Sequence, residues 1–233
     1  MKVIYRCSDA GYTKKKPLYI SNDYCLNNFT SIFKDIKVIA DNCSKNTLEG
    51  INTYVNSNDV IKVSIGSGAG TFNLALDIAL EYDEDEIVYF VENDYLHKHE
   101  SPKILEEAFT LGASFVTLYD HPDKYIDPSK GGNPYCGGGA EDTRVYITKS
   151  CHWKLTNSTT MTFAAKVSTL KRVESILRKH TSESYPRDFD MFIELRNKGE
   201  LLVSSIPGYS THGETAWLSP LTDWSKVLPK IRN

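Results

Sequence analysis

The sequence predicts an α/β fold, a mostly parallel sheet flanked by helices, from three observations. Strand-like apolar runs alternate with helix-length segments as far as residue 119. One run, Ile87-Val88-Tyr89-Phe90-Val91, is unbroken and rich in β-branched and aromatic residues, the pattern of a strand covered on both faces. Carboxylates gather just past strand ends, at Asp9, Asp41, Glu92 and Asp94, where open α/β sheets hold their ligands.

In chain order, residues 3–5 read as a first strand that runs into Arg6-Cys7-Ser8-Asp9, followed by a turn at Gly11 and the basic run Lys14-Lys15-Lys16. A helix over 23–33 is opened by Ser21 and Asn22 as caps, and residues 36–40 form a second strand that ends in Asp41-Asn42-Cys43-Ser44. A helix over 47–56, a strand over 60–65 and the turn Gly66-Ser67-Gly68-Ala69-Gly70 lead to a helix over 72–82. After the apolar strand, Ser101 and Pro102 start a helix closed by Gly112, and residues 114–119 give another strand. Residues 120–142 are a long loop with Gly131-Gly132 and Gly137-Gly138-Gly139, read as a mobile binding loop. A strand over 143–148, a polar stretch over 156–162, helices over 166–179 and 187–198, and a strand over 201–205 complete the pattern. No linker or repeat divides the chain, so residues 1–233 are read as a single domain.

Hydrophobic residues make up 40% and charged residues 24%, enough for a core without staples. The net charge of -3 excludes a global basic field of the kind that drives sequence-independent nucleic-acid binding. Lys14 to Lys16 read as a solvated loop. Five irregularly spaced cysteines suggest reduced thiols and a cytoplasmic location, and no CxxC pair suggests zinc. Neither a signal peptide nor an apolar run of the roughly twenty residues that span a bilayer is expected.

Two carboxylates separated by one residue at a strand end suit a hard divalent cation that neutralises a diphosphate. Asp9, Asp41-Asn42-Cys43-Ser44, Glu92-Asn93-Asp94 and Arg187-Asp188-Phe189-Asp190 together resemble the nucleotide-sugar glycosyltransferases of the GT-A (Rossmann-like) fold, closest to the family 2 type. The resemblance implies transfer of a sugar from a nucleotide-sugar donor, UDP-linked, to a hydroxyl acceptor. It implies donor contacts from Arg6, Asp9, Asp41, Ser44, Asn73, Glu92 and Asn93, with Asp9 and Asp41 on the nucleoside. Asp94 and His212 would hold Mn²⁺ or Mg²⁺, and an imidazole ligand favours manganese. Asp188 would be the general base, with Asp190 as its substitute, although an Asp in the first turn of a helix also serves the helix dipole. The chain departs from the family at Phe72-Asn73, where the family often has Arg-Asn, and in placing Arg187 before Asp188 where the family has an acidic pair.

The acceptor is a glycan or a hydroxymethylated DNA base, the latter with Lys14 to Lys16, Arg144 and Lys154 on phosphate. Two rivals stand beside the transferase. One is an NAD-type dinucleotide-binding oxidoreductase, on the glycine-rich turn at 66–70, although Thr71 stands where its fingerprint wants glycine or alanine. The other is a non-catalytic sugar-binding module. Trp153, Tyr135 and Trp217 are candidates for stacking on a sugar or for the core, and His97 and His99 read as solvent-facing. Oligomeric state is not legible.

Overall fold

The computed structural model describes residues 1–10, 14–136 and 144–227. Gly11, the three glycines 137–139 and the first residue of the strand expected at 143–148 lie outside them.

The strands are β1 Lys2–Ser8, β2 Ile36–Asp41, β3 Val60–Val63, β4 Ile87–Glu92, β5 Tyr95–His97, β6 Phe115–Thr117, β7 Val145–Ile147, β8 His152–Leu155, β9 Phe163–Lys166, β10 Leu202–Ile206 and β11 Ser210–His212. The helices are α1 Asn22–Ile32, α2 Lys45–Tyr54, α3 Gly68–Leu80, α4 Ser101–Ala108, α5 Val167–His180 and α6 Asp188–Asn197. One sheet runs β3-β2-β1-β4-β9-β6-β10-β8-β7, and β5 pairs with β11 in a second, two-stranded sheet. In the larger sheet only β9 and β8 run against the other strands. The expected mostly parallel sheet is therefore present, with two reversals in its carboxyl-terminal half.

The apolar run is the centre of the sheet. Tyr89 and Val91 face one core with Phe29 of α1, Phe33 just after it, and Ile104 and Leu105 of α4. Val88 and Phe90 face the other, with Phe72 and Leu76 of α3, Leu170 of α5 and Phe192 of α6. Strand alternation thus produces three layers, and both faces of β4 are dry. His97 belongs to the first of these cores, contrary to expectation. It is fully buried between Phe29 and Phe33, its Nε2 lies 2.8 Å from the Tyr89 hydroxyl, and burial pushes its pKa down to about 3.

Side-chain caps explain the starts of α1 and α3, whereas Ser101 lies inside α4, which has no side-chain cap. Ser21 accepts a hydrogen bond from Tyr24 N–H at 3.1 Å, and Ser67 accepts one from Gly70 N–H at 3.1 Å. Replacing Ser67 with Ala leaves one donor of α3 uncapped. A loss of about 1 kcal/mol is expected, read as a lower urea midpoint at unchanged slope. Gly112 ends the fourth helical segment at φ +74, a backbone state that favours glycine. Residues 156–162 are irregular, with Thr160 at φ +47 and Met161 at φ +54. Such angles are costly for a β-branched residue and gather at functional sites. No described helix is long and apolar enough to cross a membrane.

Candidate active site

The site forms where β1 and β4 end. Their parallel register sets Arg6 beside Glu92, so both side chains leave the same face. Arg6 Nη2 is 3.1 Å from Glu92 Oε1, and the guanidinium also donates to the carbonyls of Gly68 at 3.0 Å and Met161 at 3.2 Å. Burial raises the Glu92 pKa above the ordinary value, the charge of Arg6 offsets part of that, and Asp94 adds to it.

Two residues on, Asp94 is 7% exposed. The β5–β11 pair supplies its partner by setting His212 opposite Tyr95, which carries the tail histidine to the end of β4. His212 Nε2 lies 3.3 Å from Asp94 Oδ2, and Lys16 Nζ lies 3.0 Å from the same oxygen. Gly213 follows because a Cβ there would sit 2.7 Å from the Asp94 carbonyl and 2.7 Å from Ile20. Burial alone would raise the Asp94 pKa, yet the hydrogen bond and charge of His212 and the charge of Lys16 hold it well below the carboxylate range.

Three features of this cluster fit a divalent cation. Glu92, Asp94 and His212 each offer a ligand atom, all within 4.8 Å of one another. Asp94 Oδ1 is buried and has no hydrogen-bond partner. His212 Nε2 faces both the Asp94 carboxylate and, at 3.2 Å, the Lys14 ammonium. One ring nitrogen cannot donate to the first and accept from the second at once, whereas a metal would take its lone pair. Glu214 Oε2 lies 3.9 Å from the other ring nitrogen, the place of an orienting carboxylate.

The remaining expected residues separate into groups. Asn93 donates to Ser8 O at 3.1 Å and to Asn22 Oδ1 at 2.6 Å, and Asn22 donates to Asp9 at 3.2 Å. Asp9 also accepts from Ser44 N–H at 2.6 Å and from the Thr47 hydroxyl at 2.7 Å, so Asp9, Ser44 and Asn93 lie on one polar chain across the ends of β1, β2 and β4. Burial opposes ionisation of Asp9, but the Ser44 and Thr47 hydrogen bonds outweigh it and lower its pKa. Asp41 is buried and accepts from Ile65 N–H at 2.6 Å and Gly66 N–H at 2.9 Å, so its carboxylate shapes the glycine-rich turn. Asn73 is elsewhere, joined to Thr181 by two hydrogen bonds of 2.9 Å.

Asp188 opens α6 and accepts from Thr160 N–H at 2.9 Å, which ties it to the residue with the unusual backbone. The same segment reaches the carboxylate cluster, because Tyr95 OH donates to Thr159 O at 2.9 Å and Thr162 Oγ1 accepts from Glu92 N–H at 3.2 Å. Burial raises the Asp188 pKa, and backbone N–H groups of Thr160, Phe189 and Thr159 offset only part of the rise. Asp190 is exposed. Trp153 is buried, with its indole N–H donating to Thr148 Oγ1 at 3.0 Å, so it packs and cannot stack on a ligand. Tyr135 is 56% exposed, with its ring 5.9 Å from Phe189. Lys154 is buried against Asp120 at 2.6 Å and cannot contact a DNA phosphate.

No family model matches the chain, and no curated protein matches it. Among solved structures, S. aureus TarS 1-349 shares 15% identity with a TM-score of 0.53, the match covering 90% of this chain and 60% of that one. The chain thus spans about three fifths of that neighbour. The galactosyltransferase LgtC with donor and acceptor sugar analogs is 9% identical at TM-score 0.45, covering 84% of this chain and 70% of its own. Francisella tularensis 2-C-methyl-D-erythritol 4-phosphate cytidylyltransferase is 12% identical at TM-score 0.47, covering 97% and 96%. TarS 1-349 is also solved in complex with UDP-GlcNAc. The likeness to TarS 1-349 shows the fold, and the chain has a GT-A-like fold.

Proposed function

We propose that the chain is a single-domain, metal-dependent glycosyltransferase that moves a sugar from a UDP-sugar to a hydroxyl of a glycan. The observation that carries this reading is the convergence of Glu92, Asp94 and His212 around the unpartnered Asp94 Oδ1. Asp94 and His212 would hold Mn²⁺, with Glu92 kept in place by Arg6 as a supporting carboxylate. When bound, the ion supplies Lewis-acid neutralisation of the diphosphate leaving group. Asp9, exposed at the end of β1, is the nucleoside-facing carboxylate, whereas Asp41 positions the turn beside it. Asp188 accepts the proton of the acceptor hydroxyl, and its raised pKa makes it a stronger base than an ordinary Asp. The half-exposed ring of Tyr135 on Phe189 gives the base an aromatic neighbour suited to a sugar face. Burial of Lys154 removes one of the cations that a DNA acceptor would need.

Thermal unfolding with ligands tests the reading. UDP with Mn²⁺ at about a hundred times its dissociation constant is expected to add about 2.7 kcal/mol, and chelation of the metal should remove most of that gain. Asp94→Asn should abolish the metal-dependent part. Stabilisation by NAD and not by UDP would replace the transferase with a dinucleotide-binding enzyme.

A further inference from the structure

We propose that Lys14 and Lys16 are diphosphate-binding residues that exchange partners when the donor arrives, an inference that rests on the metal–diphosphate reading of the site. In sequence these lysines look like a solvated basic loop. In the structure the segment is fastened down. Lys15 O accepts from Thr215 N–H at 2.8 Å, and Pro17 O accepts from Ile20 N–H at 3.0 Å. Ile20 packs where only Gly213 leaves room, so the lysine segment and the His212 segment are held against each other.

Alternate residues then point to the same place. Lys16 Nζ lies 3.0 Å from Asp94 Oδ2, and Lys14 Nζ lies 3.2 Å from His212 Nε2 and 3.7 Å from Glu214 Oε2. Lys14 is half-buried, and Lys15 and Lys16 are exposed along their stems. The two ammonium groups therefore sit on the carboxylate and the ring nitrogen that would hold a divalent ion. An ion bound by Asp94 and His212 repels both ammoniums at this range, so they must leave those atoms. The anion that enters with the ion is the diphosphate, and lysine stems are long and freely rotating enough to follow it. The ammoniums balance the buried carboxylates in the free protein and the phosphate oxygens in the loaded one. This also explains why a protein with net charge -3 places cations beside its acidic cluster.

The test is calorimetry with Mn²⁺ alone and with UDP in the presence of Mn²⁺, on the native protein and on Lys14→Met, Lys16→Met and Lys15→Met. Partner exchange predicts opposite signs. Lys14→Met and Lys16→Met should each bind Mn²⁺ alone several-fold more tightly, because a competitor is gone. Each should bind UDP about ten-fold or more weakly, the loss of one charge-assisted hydrogen bond. Lys15→Met should match the native protein in both titrations. Native affinities in the Lys14 and Lys16 variants, or a fall in both affinities together, would overturn the exchange while leaving the metal site standing. A native protein that takes up neither Mn²⁺ nor UDP would overturn the reading of the site and this inference with it.

Discussion

Asp188→Asn is expected to lower the rate of sugar transfer by about 10²- to 10⁴-fold while leaving binding of UDP and Mn²⁺ near native, the range of a lost general base. The substitution is nearly isosteric. Its amide oxygen can still accept from Thr160 N–H, the hydrogen bond that fixes the carboxylate now. The first turn of α6 loses one negative charge, which costs about 0.3–1 kcal/mol through the helix dipole. A drop in rate with a small change in melting temperature therefore separates the base from a simple helix-start role. The pH dependence has a definite sign. Burial raises the Asp188 pKa, and a general base works in its ionised form. The rate should fall as pH drops through a value above the ordinary carboxylate range, and that acidic limb should vanish in Asp188→Asn. A variant as active as the native protein would remove Asp188 from the mechanism, with no support then for Asp190, which is exposed and has no comparable anchor.

The central strand was legible because five consecutive apolar residues fit only a position covered on both faces, and β4 has that position. The carboxylates after it were legible because they follow directly on the apolar run, and chain direction carries them past its carboxyl end. The route by which His212 arrives was not. It depends on β5 and β11, three residues each, which are too short to show a period. β9 was hidden for a related reason. Its residues Phe163-Ala164-Ala165-Lys166 carry little strand preference and pass without a turn into α5. The ion-pair partners of the lysines at 14 and 16 were not legible because they are 78 or more residues away, at Asp94 and His212. Asn73 looked like a donor contact, but its bonds to Thr181 spend its amide on joining α3 to the end of α5.

Lys154 is the strongest case of a charge whose place only the tertiary structure reveals, and Lys154→Met is expected to cost about 3–5 kcal/mol of stability. Its ammonium donates to Asp120 Oδ1 at 2.6 Å and to Tyr125 OH at 3.0 Å and lies 4.3 Å from the centre of the Tyr125 ring. Asp120 is fully buried, and its carboxylate also accepts from the same tyrosine hydroxyl, at 2.9–3.0 Å. Methionine keeps the length of the stem and removes the charge, so the cost comes from a carboxylate left buried with one neutral donor. At roughly 2–4 °C per kcal/mol for a chain of this size, the melting temperature should fall by about 10 °C. The double variant Asp120→Asn with Lys154→Met removes both charges and should recover a large part of the loss, because residues in contact are coupled. An exposed phosphate-binding lysine would behave otherwise, with a change within about 0.5 kcal/mol for the single variant and nothing to recover in the double. The comparison also bears on the acceptor side proposed for the site. Asp120 starts the segment that runs through Tyr125 to Tyr135, and Asn133 in that segment is held by Asp123 at 2.9 Å and Asn157 at 2.8 Å. If the buried pair anchors this segment, Lys154→Met should weaken acceptor binding more than UDP binding at temperatures where the variant remains folded.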